Sequence, residues 1–168
     1  RDVVEMEVTL DQRLRPKTKI SLESLDFKKI IKVCPGVTMI GPTKDQAGPS
    51  GITNGTFGPI LSLYRGWACD EKVRFHGASG GALTALGMYL LESRKVQAVL
   101  HVEASAEYPL MTNSLVSTSA HQVYDGAQSR YGPAAPLTQV HRLLDEGCVF
   151  AVIGKPCDVA AIKNLAQI

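Results

Sequence analysis

The chain has no pair of cysteines at the short spacing that marks a metal-binding motif. Cys34, Cys69, Cys148 and Cys157 are widely spaced and no C-x-x-C occurs, which argues against a zinc or iron–sulfur site built from this chain alone. Nor does a disulfide framework suit so large and apolar a domain, so buried or reactive thiols in a reducing compartment are the expectation. No apolar run approaches the roughly 20 residues of a transmembrane helix. The start, "RDVVEMEV", lacks the basic and apolar regions of a signal peptide. A soluble, cytoplasmic protein is expected. Charge of one sign is scarce: 18 basic against 16 acidic residues leave a net charge of +2, too little to make nucleic acid or an anionic membrane the main partner. Neither a Walker loop nor G-x-G-x-x-G is present. The four histidines, His76, His101, His121 and His141, stand outside any motif, so no catalytic triad can be drawn. There is no internal repeat and no low-complexity segment.

What is present suits one domain. Of 168 residues 45% are apolar, enough for a single large core. Weak alternation in "VVEMEVTL" and the basic "RLRPKTKI" predict one or two short N-terminal strands. "SLESLDFKKIIKV" predicts a short helix with Ser24 as N-cap and Leu25, Phe27, Ile30 and Ile31 as its apolar residues, ending at "CPG". Residues 41–58, "GPTKDQAGPSGITNGTFG", read as a long loop. "PILSLYRGWA" (59–68) then reads as a strand and "ALTALGMYLLES" (82–93) as a helix, apolar on nearly every face and therefore buried. "VQAVLHVEA" (96–104) and "CVFAVIG" (148–154) read as buried strands. Between them lie a helix closed by Asp125-Gly126 and an amphipathic helix over 137–147 capped by Gly147. A last helix follows Pro156. This alternation implies crossover units and an α/β fold with a mixed, largely parallel sheet flanked by helices. Residues 1–58 form an N-terminal strand/helix segment with the Gly/Pro-rich loop, and residues 59–168 the main α/β domain. Arg1 at the start and "AAIKNLAQI" at the end look like cuts in a longer chain.

Ligands of α/β sheets bind where strands lead into helices. One such place is "GASGG", residues 77–81. Ser79 is positioned to cap the following helix, and glycines admit backbone N–H groups close to an anion at the positive end of a helix. Thr84 would add a hydroxyl, with Arg74 and His76 just upstream. The same residues read equally as plain helix punctuation. A second place is "VIGKPCDV", where Lys155 would meet an anion and Cys157 falls near a helix N-terminus, which favours a thiolate. A third is "AQSRYGPA", where Ser129, Arg130 and Tyr131 offer a hydroxyl, a guanidinium fork and a stacking ring, or else an ordinary surface loop.

Taken together and in order, these blocks resemble the coenzyme F-420 hydrogenase/dehydrogenase beta-subunit family. That family carries an R-x-x-x-x-SGG-x-x-T block, an S-[KR]-Y block and a G-[KT]-PC block before a helix. They are matched here by Arg74, Ser79, Gly80, Gly81 and Thr84; by Ser129, Arg130 and Tyr131; and by Gly154, Lys155, Pro156 and Cys157. The resemblance covers roughly residues 33–168, with "VCPGV" similar to a segment that precedes the flavin-binding part. It implies an FAD-dependent oxidoreductase that passes electrons between iron–sulfur clusters and a hydride-accepting substrate, with an electron-transfer subunit or small redox coenzyme as partner. Arg74, Ser79, Gly80, Gly81, Thr84, Ser129, Arg130, Tyr131 and Lys155 would then bind FAD. Cys157 would be one ligand of a 4Fe–4S cluster completed outside this chain, since the family's N-terminal cysteine-rich segment and C-terminal part are missing from it. On this reading a Gly80→Val substitution blocks flavin and leaves the fold intact. Two other readings stay open: a non-catalytic interaction or structural domain that keeps the fold without cofactor, and a phosphate-binding transferase.

Overall fold

The computed structural model describes residues 3–24, 26–37, 39, 41, 45 and 52–168. Half of the expected loop 41–58 and the predicted apolar residue Leu25 lie outside the described residues. The chain opens with an antiparallel hairpin of β1 (Val4–Val8) and β2 (Leu14–Thr18), paired from Val4 opposite Thr18 to Val8 opposite Leu14. Two exposed strands are marginal on their own. Ion pairs Lys17–Glu7 (2.8 Å) and Lys19–Glu5 (3.0 Å) lie along the hairpin, and solvent-exposed pairs of this kind add little.

Helix α1 (Phe27–Val33) is capped by Asp26, whose carboxylate accepts from Lys29 N at 3.2 Å. Ser24 is not the N-cap; it sits in a preceding 3-10 turn, Leu22–Ser24. A second hairpin, β3 (Ile52–Asn54) with β4 (Gly58–Ile60), is turned by Asn54, whose side chain accepts from Thr56 N and Phe57 N. The strand expected over 59–68 is therefore confined to its first residues. Residues 61–68 have no regular structure.

The main unit starts at α2 (Glu71–His76), followed by a left-handed turn and α3 (Ala82–Glu92). Its sheet has three strands, in the order β6 (Thr112–Ser117), β5 (Ala98–Ala104), β7 (Phe150–Val152). The pairing of β5 with β7 is parallel, reached through α4 (Ala120–Asp125) and α5 (Val140–Asp145). That of β5 with β6 is antiparallel. The α/β class and mixed sheet are those expected. Strand β6 lies where the sequence pattern suggested no element. Helix α6 (Pro156–Leu165) closes the described chain, with Pro156 in its first turn as expected.

Strand β5 is the centre of the core. Its alternate residues point to opposite faces. Leu100 meets Val140 and Leu143 of α5 on one side. Val99 approaches Gly87 of α3 on the other, where Val123 of α4 also lies. Both Val99 and Leu100 are fully buried. Gly87 has no side chain because Val123 and Ile153 would stand within 3.1 and 3.2 Å of a Cβ, which lets α3 lie close to the sheet. The expectation that α3 is buried all round is not met. Thr84 and Gly87 face inward, but Leu83, Leu86 and Tyr89 are 61, 53 and 50% exposed. Only one flank of the helix has elements packed on it among the described residues. Gly147 (φ +65°) ends α5 as foreseen, with Cys148 N donating to Leu143 O. At the far side α1 rests on α6, where Asn164 Nδ2 donates to Val33 O at 3.2 Å.

Candidate functional site

The turn 78–81 has an unusual backbone. Ser79 (φ 52°), Gly80 (φ 74°) and Gly81 (φ 69°) are left-handed in succession, a conformation that strongly favours glycine. The turn exists because α2 and α3 meet backbone to backbone. A Cβ on Gly81 would stand 2.5 Å from Val73 O, and one on Gly77 would stand 2.6 Å from Gly81 Cα. Gly80 O accepts from Ala68 N at 2.8 Å, and a Cβ at Gly80 would lie 3.0 Å from Trp67 Cβ. The chain itself therefore demands these glycines. A Gly80→Val change strains the fold before it touches any ligand, contrary to the expectation above. Ser79 is not a helix cap either: the residue preceding α3 is Gly81, and no side chain caps that helix. Freed from that task, the Ser79 side chain lines a cavity.

That cavity, about 160 Å³, lies between α3, β5 and the loop after α4. Ser79, Thr84 and Ser129 border it together with His101, Gln128 and Ile153. Two of the sequence blocks thus share one concavity, with Ser129 lying 50 residues after Ser79 and 45 after Thr84. The remaining predicted site residues do not line it. Arg74 turns back to Ala68 O and Glu71, both at 3.5 Å. Gly80 and Gly81 shape the turn from behind. Arg130 donates from Nη2 to Pro109 O at 3.2 Å, and Tyr131 is 96% exposed. Lys155 pairs with Asp158 at 3.0 Å, while Asp158 also accepts from Lys155 N. Cys157 is exposed, as are Cys34 and Cys69. No cluster of three or more metal-ligating side chains occurs among the described residues.

His101 is the cavity residue that sequence motifs missed. It is 5% exposed, with Nε2 2.7 Å from Ser117 Oγ and Nδ1 3.3 Å from Val102 O. A carbonyl can only accept, so Nδ1 carries the hydrogen and Nε2 accepts from the serine. Gly126 leaves room for the ring: a Cβ there would stand 2.6 Å from His101 Cε1. Burial lowers the imidazole's proton affinity below the ordinary pKa of 6.5, partly offset by the Val102 carbonyl and Glu103. The unfolded chain therefore binds this proton more readily than the folded one. His101 contributes stability that is complete above about pH 6.5 and lost as pH falls through the lower folded pKa. Urea unfolding at pH 7.5 and 5.5 is expected to show a smaller pH loss for His101→Gln than for the unmodified protein; equal losses would remove this role.

Chemically, the site offers hydroxyls at its mouth and apolar walls from Val102, Val123 and Ile153. Ligand pockets usually span about 300–1,000 Å³, so this cavity as it stands seats part of a cofactor rather than a whole dinucleotide. The donor set fits the polar edge of a flavin. For an iron–sulfur cluster the described residues provide no ligand set.

The mixed sheet flanked by helices makes this an α/β domain. Residues 63–142 match the family described as coenzyme F420 hydrogenase/dehydrogenase, beta subunit N-term. The resemblance drawn from the sequence blocks therefore holds for a segment that contains the first two of them; Gly154–Cys157 lies beyond it. Among solved structures, the chain is similar to a chain of the F420-reducing [NiFe] hydrogenase complex from Methanosarcina barkeri, studied by xenon derivatization. The identity is 20% and the TM-score 0.54, over 61% of this chain and 36% of that one. At that identity the likeness is one of fold. This chain thus spans little more than a third of that relative. No curated protein matches it. No helix among the described residues is long and apolar enough to cross a membrane.

Proposed function

We propose that residues 59–168 are the flavin-binding part of an FAD-dependent oxidoreductase of the coenzyme F-420 hydrogenase/dehydrogenase beta-subunit type. In this reading electrons pass between iron–sulfur clusters and a hydride-accepting substrate, in the cytoplasm, with an electron-transfer subunit or small redox coenzyme as partner. The observation that carries it is the meeting of Ser79 and Thr84 from one family block with Ser129 from another around a single cavity. Bound flavin supplies the exchange of a hydride with single electrons. The chain's own residues hold and orient it. The three hydroxyls offer hydrogen bonds to the polar ring edge, and Val102 and Ile153 exclude water behind it. The fold relationship to the hydrogenase chain supports the same reading.

Equilibrium dialysis of the purified chain against FAD tests it, with ATP and inorganic phosphate as comparators. Retention of FAD at one per chain, unaffected by ATP, is the expected result. Retention of ATP without flavin would favour the transferase, and no retention of any would favour the non-catalytic interaction domain.

A further inference from the structure

The loop that follows α4, residues 126–132, lines the cavity with its first four residues, Gly126 to Ser129, and four observations converge on it. First, Gln128 has φ +104°, in the region that favours glycine, and non-glycine residues persist there only when surrounding contacts hold them. Second, what holds it is a single side-chain bond: the Gln128 amide donates to the backbone carbonyl of His76, 52 residues away in sequence. Third, the loop's other side-chain tie is of the same kind, Arg130 Nη2 to Pro109 O at 3.2 Å. Residues 129–131 have no regular structure.

The fourth observation concerns unmet hydrogen bonds. Buried side-chain polar atoms nearly always have a partner. Among the described residues, His76 Nε2, Thr112 Oγ1 and Arg130 Nε have none. All three belong to this loop or to what it covers. Arg130 is in the loop, and His76 receives the Gln128 bond while its ring stacks on Tyr124 at 4.4 Å. Thr112, only 6% exposed, would stand 3.2 Å from a Cβ on Gly132. The closed loop therefore leaves three buried polar groups without a protein partner and one backbone torsion strained. Moving it aside breaks two bonds to carbonyls that water can replace. It also hydrates the three unpaired groups and releases Gln128. The other walls have no such freedom, because α3 and β5 are part of the core.

We propose that residues 126–132 are a latch, closed by Gln128 on the His76 carbonyl and Arg130 on the Pro109 carbonyl, that opens to admit a ligand larger than the 160 Å³ cavity. The ligand class, an aromatic ring bearing an anionic group such as a flavin nucleotide, rests on the function proposed above; the latch itself does not. Once the loop swings out, Arg130 is free of Pro109 and available to the anion.

The test begins without any ligand. A cysteine is placed on the cavity wall by Ala127→Cys, and its reaction with N-ethylmaleimide is followed by peptide mass mapping. Native Cys148, half-buried elsewhere, reports general loosening. Gln128→Asn keeps an amide and a residue that tolerates positive φ but shortens its reach; Gln128→Gly removes the amide and the strain together. Labelling at position 127 is expected to rise about tenfold with either change, while Cys148 keeps its rate. Unchanged labelling at 127, a matching rise at Cys148, or a rise with Gln128→Gly alone would each overturn the latch. FAD association by stopped flow is the second arm, expected to quicken with Gln128→Asn. Failure of the unmodified chain to bind FAD counts against the flavin reading only, and the labelling rates then decide the latch. Binding of FAD at a rate indifferent to Gln128→Asn counts against the latch only.

Discussion

Replacing Gly81 by alanine is expected to cost about 3 kcal/mol of stability and to lower the melting temperature by about 10 °C. Two effects add. Gly81 lies at φ +69°, where any Cβ is strained. That Cβ would also stand 2.5 Å from Val73 O and 3.2 Å from Arg74 Cα. Neither neighbour is a flexible side-chain end, so relief requires α2 and α3 to separate. Gly147 is the natural control. It has almost the same φ, +65°, but nothing lies within 4 Å of its added Cβ. Gly147→Ala should therefore cost only the torsional part, about 1 kcal/mol. Thermal unfolding of the two variants side by side separates strain from contact. Equal losses would mean that the close approach of α2 and α3 at this turn has no energetic weight.

The second large effect concerns ligand. Ala127→Phe is expected to weaken FAD binding at least about 100-fold, or about 2.7 kcal/mol, while the protein stays folded. Ala127 borders the cavity from the loop side. A cavity of about 150 Å³ is known to accept a benzene ring, so a phenyl group fits a space of about 160 Å³ and occupies it in place of the cofactor. The change replaces no residue of positive φ and no residue of β5. Unaltered affinity in a folded variant would place the flavin outside this cavity.

These two sites also show what the amino-acid order reveals and what it conceals. The turn at 77–81 was conspicuous as "GASGG", and the boundaries of α3 follow from it. What remained hidden was the reason. Local sequence offers two uses for such glycines, capping and ligand approach, and the structure shows a third, the contact of two helix backbones. The burial of α3 was hidden for a similar cause. A helix apolar on every face looks buried, yet exposure depends on which elements exist to cover it, and Leu83, Leu86 and Tyr89 have open surroundings here. Strand β6, "TNSLVS", carries polar residues that local pattern assigns to a loop. Burial of Thr112 and Ser117 arises from pairing with β5, a contact between segments distant in sequence. Asp26 rather than Ser24 caps α1 because both residue types serve and only chain geometry chooses. By contrast Pro156, Gly147 and Asp125-Gly126 were legible, since each acts through its own backbone.

The candidate site was legible in part for the same physical reason. Hydroxyls at Ser79, Thr84 and Ser129 belong to recognisable blocks. His101 belongs to none, although a lone histidine inside "AVLHVEA" is itself a signal: a polar ring in a buried strand must find partners. Arg130 and Tyr131 stand in a block yet point away from the cavity, Arg130 held by Pro109 O and Tyr131 in solvent. A movable loop reconciles their place in the block with their present position.

The most direct test of the account is the amide NMR spectrum of the isotope-labelled chain during titration with FAD. The account predicts saturable shifts concentrated at residues 78–84, at His101 and at residues 126–132, with α1 and α6 unmoved. Absence of shifts, or shifts gathered at the α1–α6 contact and sparing Ser79, Thr84 and Ser129, would contradict it.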